Sequence, residues 1–120
     1  MIIVIADDSS LMRERIKSLL NMTYSSFIIH EAENGLDALR LIMKKKPDLA
    51  ILDIKMPGMN GIEVLTKVRA LNMKTRICIL TNYPYPQYKK KCLGSGADYF
   101  LDKNMEFNKI SEIVLKPAGN

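Results

Sequence analysis

Short, uninterrupted apolar runs alternate with segments of helical period along this sequence, and that alternation leaves few architectures open. Ile2 to Ala6 is such a run, too short for a helix; it ends at Asp7, Asp8, Ser9 and Ser10, and those after Asp7 suit a helix cap. Met12, Ile16, Leu19 and Leu20 then fall at helical spacing. Phe27 to Ala32 reads as a second strand, and Asn34-Gly35 turns the chain into a helix with Leu39, Ile42 and Met43 on one face. Lys44, Lys45 and Lys46 suit the C-terminal end of that helix, and Pro47 stops it. Leu49 to Asp53 is a third strand, and Asn60-Gly61 opens a helix with Val64, Leu65, Val68 and Leu71 predicted to face inward. Arg76 to Thr81 makes the fourth strand. A loop with Pro84 and Pro86 precedes a short helix that ends near Gly94, Tyr99 to Leu101 is the fifth strand, and Phe107, Ile110, Ile113 and Val114 mark a final helix.

Strands that alternate with helices in this way predict an α/β fold, doubly wound, with a parallel sheet covered by helices on both faces. The 120 residues suit one domain with one core, and 48% apolar against 26% charged residues excludes disordered and low-complexity classes. No apolar run is long enough for a membrane span, and no leader-like segment precedes Ile2, so a soluble, cytoplasmic protein without a membrane partner is expected. Cys78 and Cys92 lack metal-ligand spacing and are expected as buried free thiols, and His30 as an imidazole packed on a strand. The formal charge of +5 favours acidic partners without making the chain a nucleic-acid binder.

In doubly wound sheets ligands bind beyond the carboxyl ends of the strands. The residues there are Asp7 and Asp8 after the first strand, Asp53 at the third, Thr81 at the fourth and Lys103 just past the fifth. Each has a structural explanation alone: a cap, a turn residue, a β-former, a solvated charge. Together they bring three carboxylates, a hydroxyl and one ammonium to a single edge. Three negative charges against one positive leave room for a divalent cation, and hard oxygen ligands favour Mg2+, or Mn2+, over zinc. Without metal, repulsion is expected to raise at least one carboxylate pKa. Such a site suits phosphoryl transfer, with one carboxylate as nucleophile.

The segments Asp7-Asp8-Ser9, Leu52-Asp53-Ile54-Lys55-Met56-Pro57-Gly58-Met59-Asn60-Gly61, Leu80-Thr81-Asn82 and Gly96-Ala97-Asp98-Tyr99-Phe100-Leu101-Asp102-Lys103 closely resemble the receiver domain of two-component response regulators, from Ile2 to about Lys116. The resemblance implies a flavodoxin-like strand order of 2-1-3-4-5. It implies that Asp53 accepts a phosphoryl group from a phosphohistidine on a sensor histidine kinase or histidine phosphotransferase. Asp8, Asp53 and the backbone carbonyl of Lys55 would bind magnesium, with Asp7 acting through water. Thr81 and Lys103 would contact the phosphoryl group, and Phe100 would turn inward as Thr81 moves toward the new oxygens.

Three positions depart from the family pattern. Asn104 replaces the usual proline after Lys103, so that bond is expected to be trans. Asn82 follows Thr81 where a small residue is common, and Lys55 places a cation two residues past Asp53. The chain is expected to be a single receiver domain over residues 1–120 with no output domain, its tail being Lys116-Pro117-Ala118-Gly119-Asn120. It is expected to signal through phosphorylation-dependent protein interaction, catalysing only its own phosphorylation and dephosphorylation. Arg13, Arg15 and Lys17 on the first helix are candidates for meeting the phosphodonor. The surface of the fourth helix, fifth strand and fifth helix, with Tyr85, Tyr88, Tyr99 and Lys89 to Lys91, is the expected output face for a downstream target or a homodimer. The alternatives are a receiver-like adaptor that works without phosphorylation, a turnover phosphatase and a nucleic-acid binder. The phosphatase lacks a second Asp two residues past Asp53, and Lys89 to Lys91 are explained by a solvated helix face.

Overall fold

The computed structural model describes residues 1–23 and 26–116; the tail beyond Lys116, on which the expected lack of an output domain rested, lies outside the described residues. The chain runs β1 (Ile2–Ala6), α1 (Ser10–Thr23), β2 (Ile28–Ala32), α2 (Gly35–Lys45), β3 (Leu49–Leu52), α3 (Gly61–Ala70), β4 (Arg76–Thr81), α4 (Pro86–Gly94), β5 (Tyr99–Asp102) and α5 (Lys109–Val114). The strands form one parallel sheet in the order β2-β1-β3-β4-β5, the expected topology.

Burial explains why the central strands read as continuous apolar runs. Leu49–Leu52 and Arg76–Thr81 are buried throughout, because helices cover both faces. Alternate residues feed two cores: Val4, Ala50, Leu52, Ile77 and Ile79 pack with α2 and α3, while Ile3, Ile5, Ile51, Cys78 and Leu80 pack with α1 and α5. β2 is an edge strand, and His30 on it is only half-buried. Both thiols are free and buried; burial pushes Cys92 up to about 11 and Cys78 further still, so neither is a reactive thiolate. Among the described residues no helix is long and apolar enough to cross a membrane.

Helix boundaries follow local chemistry. Asn34 caps α2 by accepting the Asp37 amide at 2.8 Å. Asn60 and Glu63 form a reciprocal capping box at α3. Two residues predicted to face inward do not. Met43 is exposed, because α2 buries Gly35, Ala38 and Ile42, small residues that a periodicity built on large side chains misses. Leu71 is exposed because it lies past the last turn of α3, as its C-cap. Phe107 sits half-buried in the turn before α5.

Candidate functional site

Strand register assembles the site. Ala6 pairs with Leu52 and Thr81 with Asp102, so Asp7 and Asp53 emerge side by side one residue past their strands, and Lys103 one residue past β5 beside Thr81. Main-chain bonds continue the ladder: the Asp53 amide donates to the Ala6 carbonyl at 2.9 Å and the Lys103 amide to the Thr81 carbonyl at 2.9 Å. Asp7, Asp53, Thr81 and Lys103 are all buried, whereas Asp8 is exposed at the rim.

Lys103 lies between two carboxylates, its Nζ 2.7 Å from Asp7 Oδ2 and 3.2 Å from Asp53 Oδ2. The second oxygens are also engaged, Asp7 Oδ1 accepting the Ser9 amide at 2.9 Å and Asp53 Oδ1 the Ile54 amide at 2.8 Å. Burial pushes the Asp53 carboxyl above the ordinary carboxylate range; Lys103 opposes that rise and Asp7 adds to it. The expected direction therefore holds, with desolvation ahead of repulsion as its cause. Thr81 Oγ1 accepts the Tyr83 amide at 2.9 Å.

Asp7, Asp8 and Asp53 each offer one carboxylate oxygen within 4.8 Å of the others. This all-oxygen set, with one ammonium against three carboxylates, fits a hard divalent cation such as magnesium. No peptide bond is cis among the described residues, so the Lys103–Asn104 bond is trans as expected. Asn82 is exposed beside the site. Phe100 is 8% exposed and packs in the core cluster that holds residues of α2, α3 and α4.

The cations expected to meet a donor are largely engaged within the chain. Arg13 pairs with Glu31 at 3.0 Å and donates to the Asp7 carbonyl at 2.7 Å, Lys17 bridges Glu14 and Glu31, and the Arg15 guanidinium lies 4.7 Å from the Phe107 ring centroid. The Lys17 bond holds the Glu31 carboxyl below its usual range.

Sequence reasoning missed Gly61. A Cβ there would lie 2.0 Å from the Asp53 carbonyl oxygen, so only glycine lets α3 start against the backbone of this residue. The Asn-Gly pair signalled a helix start, and nothing in it indicated the contact.

The chain matches the response regulator receiver domain family over residues 3–115. It is 36% identical over 104 residues to the nitrate/nitrite response regulator protein NarL of Escherichia coli K12, covering 87% of this chain and 48% of that protein. Among solved structures, the signal receiver domain of NarL from Mycobacterium tuberculosis superimposes with a TM-score of 0.87 at 35% identity, covering 95% of this chain and 92% of that one. A LuxR-family DNA-binding response regulator from Staphylococcus aureus gives 0.86 at 32% identity, covering 94% of each chain. The chain spans about half the length of the curated relatives it matches.

Proposed function

Because the chain belongs to the response regulator receiver family of two-component systems, we propose that Asp53 is its phosphoacceptor and that residues 1–120 act as one phosphorylation-controlled signalling unit. The supporting observation is the buried ammonium of Lys103 set between Asp7 and Asp53, with Thr81 on the adjoining strand. An Asp53 carboxylate oxygen attacks phosphorus in line; the new P–O bond forms as the bond from phosphorus to the donor's imidazole nitrogen breaks, and its electron pair stays on the ring. Lys103 neutralises phosphoryl oxygens from its place beside Asp53, and the Thr81 hydroxyl turns from the Tyr83 amide to donate to another. Asp8, Asp53 and the Lys55 carbonyl would hold magnesium or manganese, with Asp7 acting through water. Bound metal supplies neutralisation of the charge gathered on the phosphoryl oxygens. The unit catalyses only its own phosphorylation and dephosphorylation.

A cytoplasmic sensor histidine kinase or histidine phosphotransferase serves as donor. Its docking at the α1 end of the site would draw on Arg13, Arg15 and Lys17, with Glu31 competing for Arg13 and Lys17 through weak, part-exposed pairs. Output passes to a protein target, or to a second copy of the chain, through the face of α4, β5 and α5. Incubation with acetyl phosphate and magnesium, read by intact mass, tests the assignment. A phosphoryl adduct is expected on wild type and on neither Asp53→Asn nor Asp8→Ala. An undiminished adduct on Asp53→Asn would overturn it.

A further inference from the structure

Lys55, two residues past Asp53, does not join the carboxylate cluster. Its Nζ lies 5.4 Å from the ring centroid of Tyr83 and 5.6 Å from that of Tyr88, with the Tyr88 hydroxyl 3.5 Å away. Tyr85 stands between them, its ring centroid 6.3 Å from Tyr83 and 5.9 Å from Tyr88. The same aromatic segment is tied to the site a second time, through the Tyr83 amide on Thr81 Oγ1. It leads into α4, whose N-cap, Tyr85, makes no side-chain capping bond.

We propose that Lys55 is a mobile second cation of the phosphoryl site: it rests on Tyr83 and Tyr88 while Asp53 is unmodified and moves onto the phosphoryl oxygens once Asp53 carries them, freeing the segment 83–88. The inference rests on Asp53 being the phosphoacceptor. Charge counting supplies the drive. With a divalent ion, three carboxylates and Lys103 sum to zero; phosphorylation turns the single charge of Asp53 into about −1.5 to −2, leaving up to one negative charge that Lys55 can match. Two residues span at most about 7 Å of chain, within the range of a flexible four-carbon stem. The seat is weak, since a cation over an exposed ring is held far less firmly than one hydrogen-bonded to a phosphoryl oxygen. Differential affinity of this kind is what a two-state signal requires. Thr81 turning to the phosphoryl group would release the other tether, so both restraints on Tyr83 would go together.

Beryllofluoride with magnesium, a non-transferable stand-in for the phosphoryl group, tests the proposal. Fluorine NMR reads the adduct, and proton NMR reads the Lys55 ε-methylene, which the two rings shield while it is seated. On adduct formation the shielding should be lost. Lys55→Gln should weaken beryllofluoride binding by about fivefold, and Tyr83→Leu combined with Tyr88→Leu should strengthen it by about two- to fivefold by removing the competing seat. An adduct that forms with the Lys55 methylene still shielded overturns the proposal alone, as do affinity changes of the same sign in both variants. No fluorine adduct on wild type overturns the proposal together with the phosphoacceptor assignment.

Discussion

Replacing Lys103 by methionine keeps the length and the apolar stem of the side chain and removes one buried charge. The ammonium lies 2.7 Å from Asp7 and 3.2 Å from Asp53. At an effective dielectric of about 20 these attractions are about 6 and about 5 kcal/mol gross. Much of that is already offset, because taking an ammonium and two carboxylates out of water costs several kcal/mol per ion. Breaking a buried pair from one side typically costs about 3 to 5 kcal/mol. A ceiling also applies, since a stranded carboxylate can take a proton; from a pKa near 4 that costs about 4 kcal/mol at pH 7. Lys103→Met should therefore destabilise the metal-free protein by about 3 to 4 kcal/mol at pH 7, read from urea midpoints at constant slope.

The pH dependence has a definite sign. Without Lys103 the folded carboxylates titrate above their unfolded value, so the folded state holds more protons and loses stability as pH rises through that interval. The penalty should shrink by up to about 1.4 kcal/mol for each pH unit once the folded carboxylate is protonated, until the unfolded carboxylates protonate as well near pH 4. A difference from wild type below about 1 kcal/mol, the scale of a surface ion pair, or one independent of pH, would refute this account of the site.

Asp53→Asn should act in the opposite direction. Its carboxyl is raised by burial, so its cost to the metal-free fold grows as pH climbs through that raised value, and the variant should be more stable than wild type at pH 7 and no more stable at pH 3 in the same titration. Gly61→Ala forces a Cβ against the Asp53 carbonyl and should cost about 1 to 3 kcal/mol while slowing phosphorylation by acetyl phosphate. Gly58→Ala, at a φ of 70° with open space around it, should cost about 1 kcal/mol and leave that rate unchanged. Glu31→Gln should cost under about 1 kcal/mol, as expected of part-exposed pairs, yet by freeing Arg13 and Lys17 it should alter transfer from a protein donor more than from acetyl phosphate.

What could be read from the sequence follows from what a parallel sheet imposes. Buried strands such as Leu49–Leu52 must be continuously apolar, and their carboxyl ends share one edge, so Asp7, Asp53, Thr81 and Lys103 could be placed together before any coordinates. Helix faces were less legible. Gly35 and Ala38 are buried by small size, which apolar periodicity weighs poorly, and Met43 took their place in the prediction. Side-chain commitments were hidden altogether. Arg13, Lys17 and Lys55 are the same residue types whether free or paired, and only the fold brings Glu31 against α1 or Tyr83 and Tyr88 against Lys55.

Chemical location of the phosphoryl group tests the central claim most directly. Borohydride reduces an acyl phosphate to a primary alcohol, expelling phosphate, so an aspartyl phosphate becomes homoserine at the residue that carried it. Protein treated with acetyl phosphate and magnesium, then reduced and mapped by peptide mass spectrometry, should show homoserine at position 53 alone. Homoserine at Asp7 or Asp8 instead, or an intact aspartate at position 53 in protein that intact mass shows to be phosphorylated, would contradict the assignment of Asp53.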